Sequence, residues 1–306
     1  MAEEQPPSTG LPAAATGPRR SRHAAVVWVI TGLLVAALGW GVFGIAVPCL
    51  QTRAVVKEYA VNRITAAQAV ERLGGPARAA GRIGFYLRLP RWLASRRGHA
   101  AEILGRCGQP AAPHLGRALS DDDGAVRLRA VEGLCELGED AREAAPDLAR
   151  VLGDPQVLMR RKAAAALSKI GPGAACAVPA LVTALADPDH GTRSYAAFAL
   201  GNIGQAAAPA IPALEKALTD QERDVQCAAA YGLAKAGGNS KKAIAVLVWN
   251  LRAREVTVRD LAAGLLGDLG PPARESIPAL EEALKDVSGD VRETAAEALQ
   301  KIRGQP

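Results

Sequence analysis

The sequence is poor in the residue types on which most metal and disulfide sites depend. It has only four histidines and five cysteines in 306 residues, and aromatic residues make up 4% of the chain. No two cysteines form a CxxC pair, so the sequence contains neither a disulfide framework nor a typical zinc motif. We therefore predict no metal site and expect the cysteines to be small core residues.

Motifs for catalysis and for nucleotide binding are absent as well. The chain has no Gly-x-Ser-x-Gly elbow and no phosphate-binding Gly-x-x-x-x-Gly-Lys sequence. We predict no catalytic residues and no cofactor. Because 49% of the residues are apolar while aromatics are few, the core is expected to consist of small side chains between closely spaced helices, which favours an all-α fold.

The N-terminal region has the composition of a tail followed by one membrane span. Residues 1–23 are predicted to be a disordered tail. Residues 24–50 carry no charge and are long enough to form one transmembrane helix. A cleaved signal peptide ending near Gly44-Ile45-Ala46 remains the alternative. The protein is thus predicted to be a single-pass membrane protein whose orientation is undecided. A small excess in the flanking charges favours a cytoplasmic N-terminus, whereas the longer basic stretch to residue 106 and the unpaired cysteines favour the opposite orientation.

Residues 51–109 are strongly basic, with eleven Lys and Arg against three Asp and Glu. A basic segment beside a membrane span is typical of attraction to anionic lipid, which is the partner we predict for it. Nucleic acid is disfavoured, since residues 110–306 carry 23 basic and 26 acidic side chains. Residues 97–108 resemble the second helix of the repeats described next, so 51–109 is interpreted as juxtamembrane helices and an N-terminal cap.

A period of 33 residues runs through residues 110–303 in six units. The recurring arginines are Arg127, Arg160, Arg193, Arg259 and Arg292; the aspartates are Asp121, Asp154, Asp187, Asp220 and Asp286; the prolines are Pro113, Pro146, Pro179, Pro212 and Pro278; the glycines are Gly138, Gly171, Gly204, Gly237 and Gly270. The proline is expected in the first turn of a first helix. The aspartate is expected to cap the second helix, and the glycine to end it as a left-handed C-cap.

This proline, aspartate, arginine and leucine pattern resembles HEAT repeats, in particular the phycobilisome-lyase type. The resemblance implies an α-α superhelix of the HEAT/armadillo kind, in which the Asp and Arg positions form a structural ladder between repeats. HEAT-like deoxyhypusine hydroxylases hold iron with His-Glu pairs, and no histidine here is followed by glutamate. Bilin lyases share the repeat type, so a role in handling a chromophore is a second interpretation.

Candidate binding residues are those that break the repeat. Positions two and five residues after the ladder position carry Tyr195, Phe198 and Tyr231, where other repeats have mostly small or charged residues. We predict that they form one aromatic cluster on the concave face and anchor a protein partner. Partial burial between neighbouring helices is the alternative.

The fifth repeat breaks the pattern in other ways. Trp249 stands where the other repeats have polar residues, so we predict that it is exposed on the outer face and is a further candidate contact. Gln226 occupies the preceding arginine position, Ala253 the aspartate position, and Asn250 a position that is Ala or Val elsewhere. That repeat is either the least stable or the most specialised.

The sequence as a whole predicts a membrane-tethered, non-catalytic HEAT-repeat scaffold whose concave face binds a protein. The alternatives are a HEAT-like bilin lyase or hydroxylase-type enzyme, and an adaptor that docks on lipid through residues 51–109.

Overall fold

The computed structural model describes residues 51–59, 66–73, 75–88 and 97–304. The predicted tail and the predicted membrane span both lie outside these residues. All regular elements within the described ranges are helices, and the chain from Cys49 onward is one compact unit. The predicted all-α solenoid is therefore confirmed for the described part of the chain.

Within the described residues, four helical segments precede six helix pairs, which we number as repeats 1 to 6. The preceding helices are α1 (51–59), α2 (Ala66–Arg72), α3 (Pro76–Leu87) and α4 (Arg97–Leu104). The first helices of the pairs are α5 (Ala112–Ala118), α7 (Ala145–Val151), α9 (Val178–Ala184), α11 (Ile211–Ala217), α13 (Ser240–Asn250) and α15 (Ile277–Ala283). The second helices are α6 (Gly124–Leu137), α8 (Val157–Ile170), α10 (His190–Ile203), α12 (Arg223–Lys235), α14 (Val256–Leu269) and α16 (Gly289–Arg303).

The first helices are short, and packing rather than propensity stabilises them. α11 has seven residues, with Pro212 in its first turn, where the missing N–H has no helical partner to lose. A helix of that length is only marginally stable in isolation. Its Leu214 is fully buried, as is Leu200 of the second helix α10. No repeat buries its apolar stripe without its neighbours, so the array is stable only as a stack.

The glycines that close the second helices adopt a different conformation from the predicted one. Gly171 has φ 63° and ψ −132°, and Gly204 has φ 75° and ψ −139°. The positive φ explains why glycine recurs there. The predicted left-handed C-cap is wrong at these positions, because the strongly negative ψ sends the chain directly into a 3₁₀ turn, such as Gly171–Ala177, that leads to the next repeat.

The ladder aspartates do not cap the second helices, which corrects a second prediction. Asp187 Oδ1 accepts a hydrogen bond from the backbone N–H of Asp189 at 2.8 Å, and so closes a tight turn just before α10. The cap of α10 is Asp189, whose Oδ2 accepts from the N–H of Thr192 at 2.8 Å. The same two-residue turn recurs at Asp154 and Asp286.

The packing of the helices places the second helices on the inner side of the array. Consecutive second helices contact one another along much of their length, whereas neighbouring first helices meet mainly through the 3₁₀ turns between repeats. Closer spacing of the second helices bends the stack toward them. They therefore line the concave face.

One stretch of the described residues, Val157–Ala184, is long and apolar enough to cross a membrane by length and composition alone. It comprises α8, a 3₁₀ turn and α9, and it is interrupted at Ala174, which has φ −94° and ψ 16°. Leu167 and Leu181 from this stretch are fully buried in the core. The stretch is weak evidence for a span, because core helices pass the same test.

Candidate partner-binding groove

The concave face changes from charged to apolar and back along the array. We call inner-face positions those that lie two and five residues after the ladder position of each second helix. From repeat 1 to repeat 6 the first set is Arg129, Lys162, Tyr195, Ala228, Leu261 and Thr294, and the second set is Glu132, Ala165, Phe198, Tyr231, Gly264 and Glu297. At these two positions repeats 3 to 5 carry no charge, whereas repeats 1, 2 and 6 do.

Tyr195 lines an open groove of about 530 Å³ between α6, α8 and α10. Its side chain is 41% exposed, and Leu158 at the start of α8, which is 50% exposed, lines the same groove. Arg161 and Lys162 stand on the wall of the groove beside them. The groove therefore combines apolar contact area with a charged rim, which is the usual make-up of a protein-binding site.

Phe198 and Tyr231 pack against each other in the next part of the groove. Their ring centroids lie 6.0 Å apart with the ring planes tilted by 49°. The Tyr231 hydroxyl donates to Asn202 Oδ1 at 3.0 Å, and Asn202 Nδ2 donates to the carbonyl oxygen of Ser168 at 3.1 Å. This chain of hydrogen bonds joins α12, α10 and α8. Burial raises the pKa of Tyr231, so its hydroxyl remains a donor at neutral pH.

The predicted aromatic cluster is divided into two parts. Phe198 and Tyr231 form the predicted contact, but Tyr195 lies on the α8 side of α10, beside Leu158. Tyr231 is only 8% exposed, so the alternative of burial between neighbouring helices describes it. Among the three predicted residues, Tyr195 offers the most accessible ring.

Tyr231 fits because Gly201 has no side chain. A Cβ atom at Gly201 would lie 2.7 Å from two ring carbons of Tyr231. We expect Gly201→Ala to lower the free energy of unfolding by roughly 1–3 kcal/mol, because the ring has to move in a packed interface. Urea denaturation followed by helical circular dichroism measures this change.

Gly264 supplies the matched control for that substitution. A Cβ atom there would meet Thr294 Cγ2 at 3.6 Å, an ordinary contact. Gly264→Ala should therefore leave stability unchanged or raise it by up to about 1 kcal/mol through helix propensity. Equal effects of the two substitutions would show that Tyr231 does not depend on the space at Gly201.

Trp249 lies apart from the other three candidate residues. It belongs to the first helix α13 and is 64% exposed. First helices form the outer layer of the array, so the indole is not part of the groove. As a binding residue, Trp249 remains a prediction of its own.

The arginine and aspartate positions tie consecutive units together at four junctions of the described residues, whereas Arg127 donates to the carbonyl oxygen of Asp121 instead of pairing with Asp154. Arg193 donates through Nε and Nη2 to the two carboxylate oxygens of Asp220 in the next repeat, both at 2.9 Å. Its Nη1 donates to the carbonyl oxygen of Asp187 at 2.9 Å. The corresponding inter-repeat pairs are Arg97–Asp121, Arg160–Asp187 and Arg259–Asp286. Arg97 thereby continues the ladder into the cap.

A hydrogen-bond network around the neutral amide of Asn250 replaces the ladder between repeats 4 and 5. Asn250 is fully buried, and its Oδ1 accepts a hydrogen bond from Arg223 Nη1 at 3.0 Å. Asn250 Nδ2 donates to Gln226 Oε1 at 3.4 Å and to the carbonyl oxygen of Val246 at 3.0 Å. The break in the repeat pattern at Gln226 and Ala253 is thus compensated by buried amides.

One group of side chains has the composition of a metal site. The candidate ligand atoms of His190, Glu222 and Asp224 all lie within 4.8 Å of one another, with His190 Nδ1 3.3 Å from Asp224 Oδ2. His190 and Glu222 are exposed, and both carboxylates lie close enough to the Arg193 guanidinium to raise its pKa. That nearby positive charge opposes a cation, so the group is best described as surface ion pairing.

Paired helices stacked on a repeated arginine–aspartate ladder define an α-solenoid with an inner, concave face. Models of HEAT repeats match residues 94–168, 112–192, 178–259 and 244–306, which together cover more than half of the chain. The chain belongs to the HEAT repeat family.

Solved structures with the same architecture include proteins of different kinds. A chain in the complex of CpcE and CpcF of phycocyanin lyase from Nostoc sp. PCC7120 is 25% identical with a TM-score of 0.51, and the match covers 74% of this chain and 94% of that one. A Kap121p mutant is 14% identical with a TM-score of 0.50, over 81% of this chain and 33% of that one, which supports the fold alone. No curated protein sequence matches the chain.

Proposed function

We propose that this protein is a membrane-tethered HEAT-repeat scaffold whose concave groove binds a protein partner. The observation that carries the proposal is the exposed apolar surface of the groove at repeats 2 and 3. Leu158 of α8 and Tyr195 of α10 are exposed there, and neither belongs to the ladder or to the buried core. Exposed aromatic side chains in a groove with a charged rim are typical of binding hot spots.

Photo-crosslinking in native cells tests the groove directly. A photoreactive phenylalanine analogue in place of Tyr195 is expected to give discrete protein adducts, whereas the same analogue at the exposed Thr183 of the first helix α9 should give none. Tyr195→Ala is expected to weaken capture of the adduct protein by roughly 30-fold, the effect of losing a hot spot of about 2 kcal/mol. Adducts of equal yield at the two positions would overturn the assignment of the groove.

The tether and the lipid contact form the second half of the proposal. Residues 24–50 would span the membrane with the N-terminus in the cytoplasm, and residues 51–109 would meet anionic headgroups. Support comes from the charge of the described part of that segment, where Arg72, Arg78 and Arg88 are exposed and Arg82 is half-buried. Vesicle binding by residues 51–306, which lack the proposed span and belong to one compact unit, should require acidic lipid and weaken with salt. Binding that ignores salt would remove the lipid contact.

A chromophore-handling role is the second candidate function. It is favoured by the similarity to a phycocyanin lyase chain at 25% identity over 74% of this chain. A lyase-like protein should retain a linear tetrapyrrole when mixed with one and show a shifted visible absorption band. A spectrum equal to the sum of the separate components would remove this candidate.

A further inference from the structure

The two ends of the groove carry opposite charge. At repeats 1 and 2 the inner side presents Arg129, Arg161 and Lys162. Glu132 contacts both Arg129 Nη1 and Lys162 Nζ at 3.0 Å, and Arg161 pairs with Asp189 at 2.6 Å. Glu136 lines the groove as well and pairs with Arg106 at 3.5 Å. These four cations and three anions leave this end positive by one unit.

Repeats 5 and 6 present the opposite excess. The inner side of α14 and α16 carries Asp260, Asp268, Glu293 and Glu297, and Lys301 pairs with Asp268 at 3.0 Å. Asp260 accepts a hydrogen bond from the neutral hydroxyl of Thr294 at 2.6 Å. Four anions and one cation leave this end negative by three units, so an electrostatic gradient runs along the groove.

The floor between the charged side chains of these two ends has the length of one ordinary helix, and Lys235 Nζ lies 5.9 Å from the Tyr231 ring centroid within that stretch. It extends from α8 to α14, which is three steps between neighbouring second helices. Packed helices lie about 8–10 Å apart, so the floor is roughly 24–30 Å long. At 1.5 Å per residue, a helix of about 16–20 residues covers it.

A helix also suits this floor better than an extended peptide. The backbone groups of α8, α10, α12 and α14 are used within those helices, and the Asn202 side chain is already bonded to Tyr231 and Ser168. An extended peptide would therefore leave its own N–H and C=O groups without partners over an apolar surface. A helix satisfies its backbone internally.

We propose that the occupant is a single amphipathic α-helix, acidic in its first turn and basic in its last, whose N-terminus lies at repeat 2 and whose C-terminus lies at repeats 5 and 6. This inference rests on the proposed function and assigns the partner's chemistry and direction. Acidic residues stabilise the start of a helix and basic residues its end. In this orientation the acidic start of the bound helix faces Arg161 and Lys162, and its basic end faces Glu293 and Glu297. Both sets of charges therefore favour the same orientation.

Two synthetic peptides of identical composition test the direction. Each has 20 residues with a leucine stripe on one side; one carries three Glu in the first turn and three Lys in the last, and the other has these charges exchanged. The full-length chain is expected to bind the first peptide about 10-fold more tightly in low salt, and the preference should shrink as salt is added. Fluorescence anisotropy of labelled peptide measures both.

Charge reversal on the protein tests whether the acidic end of the groove recognises the basic end of the peptide. Glu293→Lys combined with Glu297→Lys should abolish or reverse the preference for the first peptide. The matched control is Glu281→Lys combined with Glu282→Lys on the outer helix α15, where both carboxylates are exposed; it should leave the preference unchanged. A control variant that changes it equally would assign the effect to overall charge and overturn the proposal.

The remaining outcomes separate this inference from the proposed function. Equal affinity for the two peptides overturns the direction. Failure of both peptides to bind overturns the helical occupant. In either case, adducts at Tyr195 in the crosslinking experiment would still establish a protein partner in the groove, and their absence would reject the proposed function itself.

Discussion

Replacing Arg193 with glutamine is expected to lower the free energy of unfolding by roughly 3–5 kcal/mol, the typical effect of removing one partner of a buried ion pair. Asp220 would lose both hydrogen bonds from the guanidinium while its side chain, 14% exposed, stays largely out of water. The carbonyl oxygen of Asp187 would lose a donor as well. Urea denaturation of the full-length chain, followed by helical circular dichroism, measures the loss.

The chain itself provides the pattern for the control. Between repeats 4 and 5, Gln226 and Ala253 occupy the arginine and aspartate positions, and the stack continues without an ion pair there. Arg193→Gln combined with Asp220→Ala copies these two positions, without an equivalent of Asn250, and leaves no uncompensated carboxylate. The double variant should therefore recover to within roughly 1–2 kcal/mol of the original stability. A single variant as stable as the double one would show that the buried charge costs nothing.

Acid is expected to destabilise the array steeply below about pH 4. A hydrogen bond from Arg259 holds the pKa of Asp286 below its usual value. Burial opposes ionisation of Asp220, but hydrogen bonds from Arg193 and from the backbone N–H of Glu222 outweigh it, so its pKa is also lowered. A carboxyl group whose pKa is lower in the folded state contributes stability above its unfolded pKa of about 3.9, and that stability is lost as the pH falls below this value.

The double variant Arg193→Gln with Asp220→Ala separates the ladder from the other acidic groups. It has one fewer carboxylate with a lowered pKa, so its free energy of unfolding should fall less steeply between about pH 4 and pH 2. Urea midpoints measured at each pH give the two slopes. Parallel slopes would mean that the Arg193–Asp220 pair does not contribute to acid sensitivity.

The residues that stabilise the fold differ from the residues of the inner face that are candidates for binding a partner. Ladder residues and buried leucines hold the repeats in register, and their substitution acts on folding. Tyr195 and Leu158 are exposed and lie away from the ladder, so their substitution should affect binding with little effect on stability. Tyr231 belongs to both groups, because it is buried against Gly201 and bonded to Asn202. Its variants are therefore poor reporters of binding alone.

The predictions that rested on local geometry largely agree with the structure. Proline recurs in the first turn of the first helices because its fixed φ and missing N–H are tolerated there, and glycine recurs where φ is positive. The position of these glycines in the sequence did not predict their ψ angle. That angle depends on where the 3₁₀ turn has to carry the chain to reach the next repeat.

The 33-residue period by itself determined that this chain is a stack of helix pairs, because one pair of this length cannot bury its apolar stripe alone. Only the tertiary structure decided what the exceptions do. It separated Tyr195 from Phe198 and Tyr231, and it made Asn250 the centre of an amide network that replaces an ion pair. The physical reason is that the spacing of the helices follows from the residues of each repeat. The direction of a ring or an amide depends instead on the space that a neighbouring repeat leaves, such as the space at Gly201.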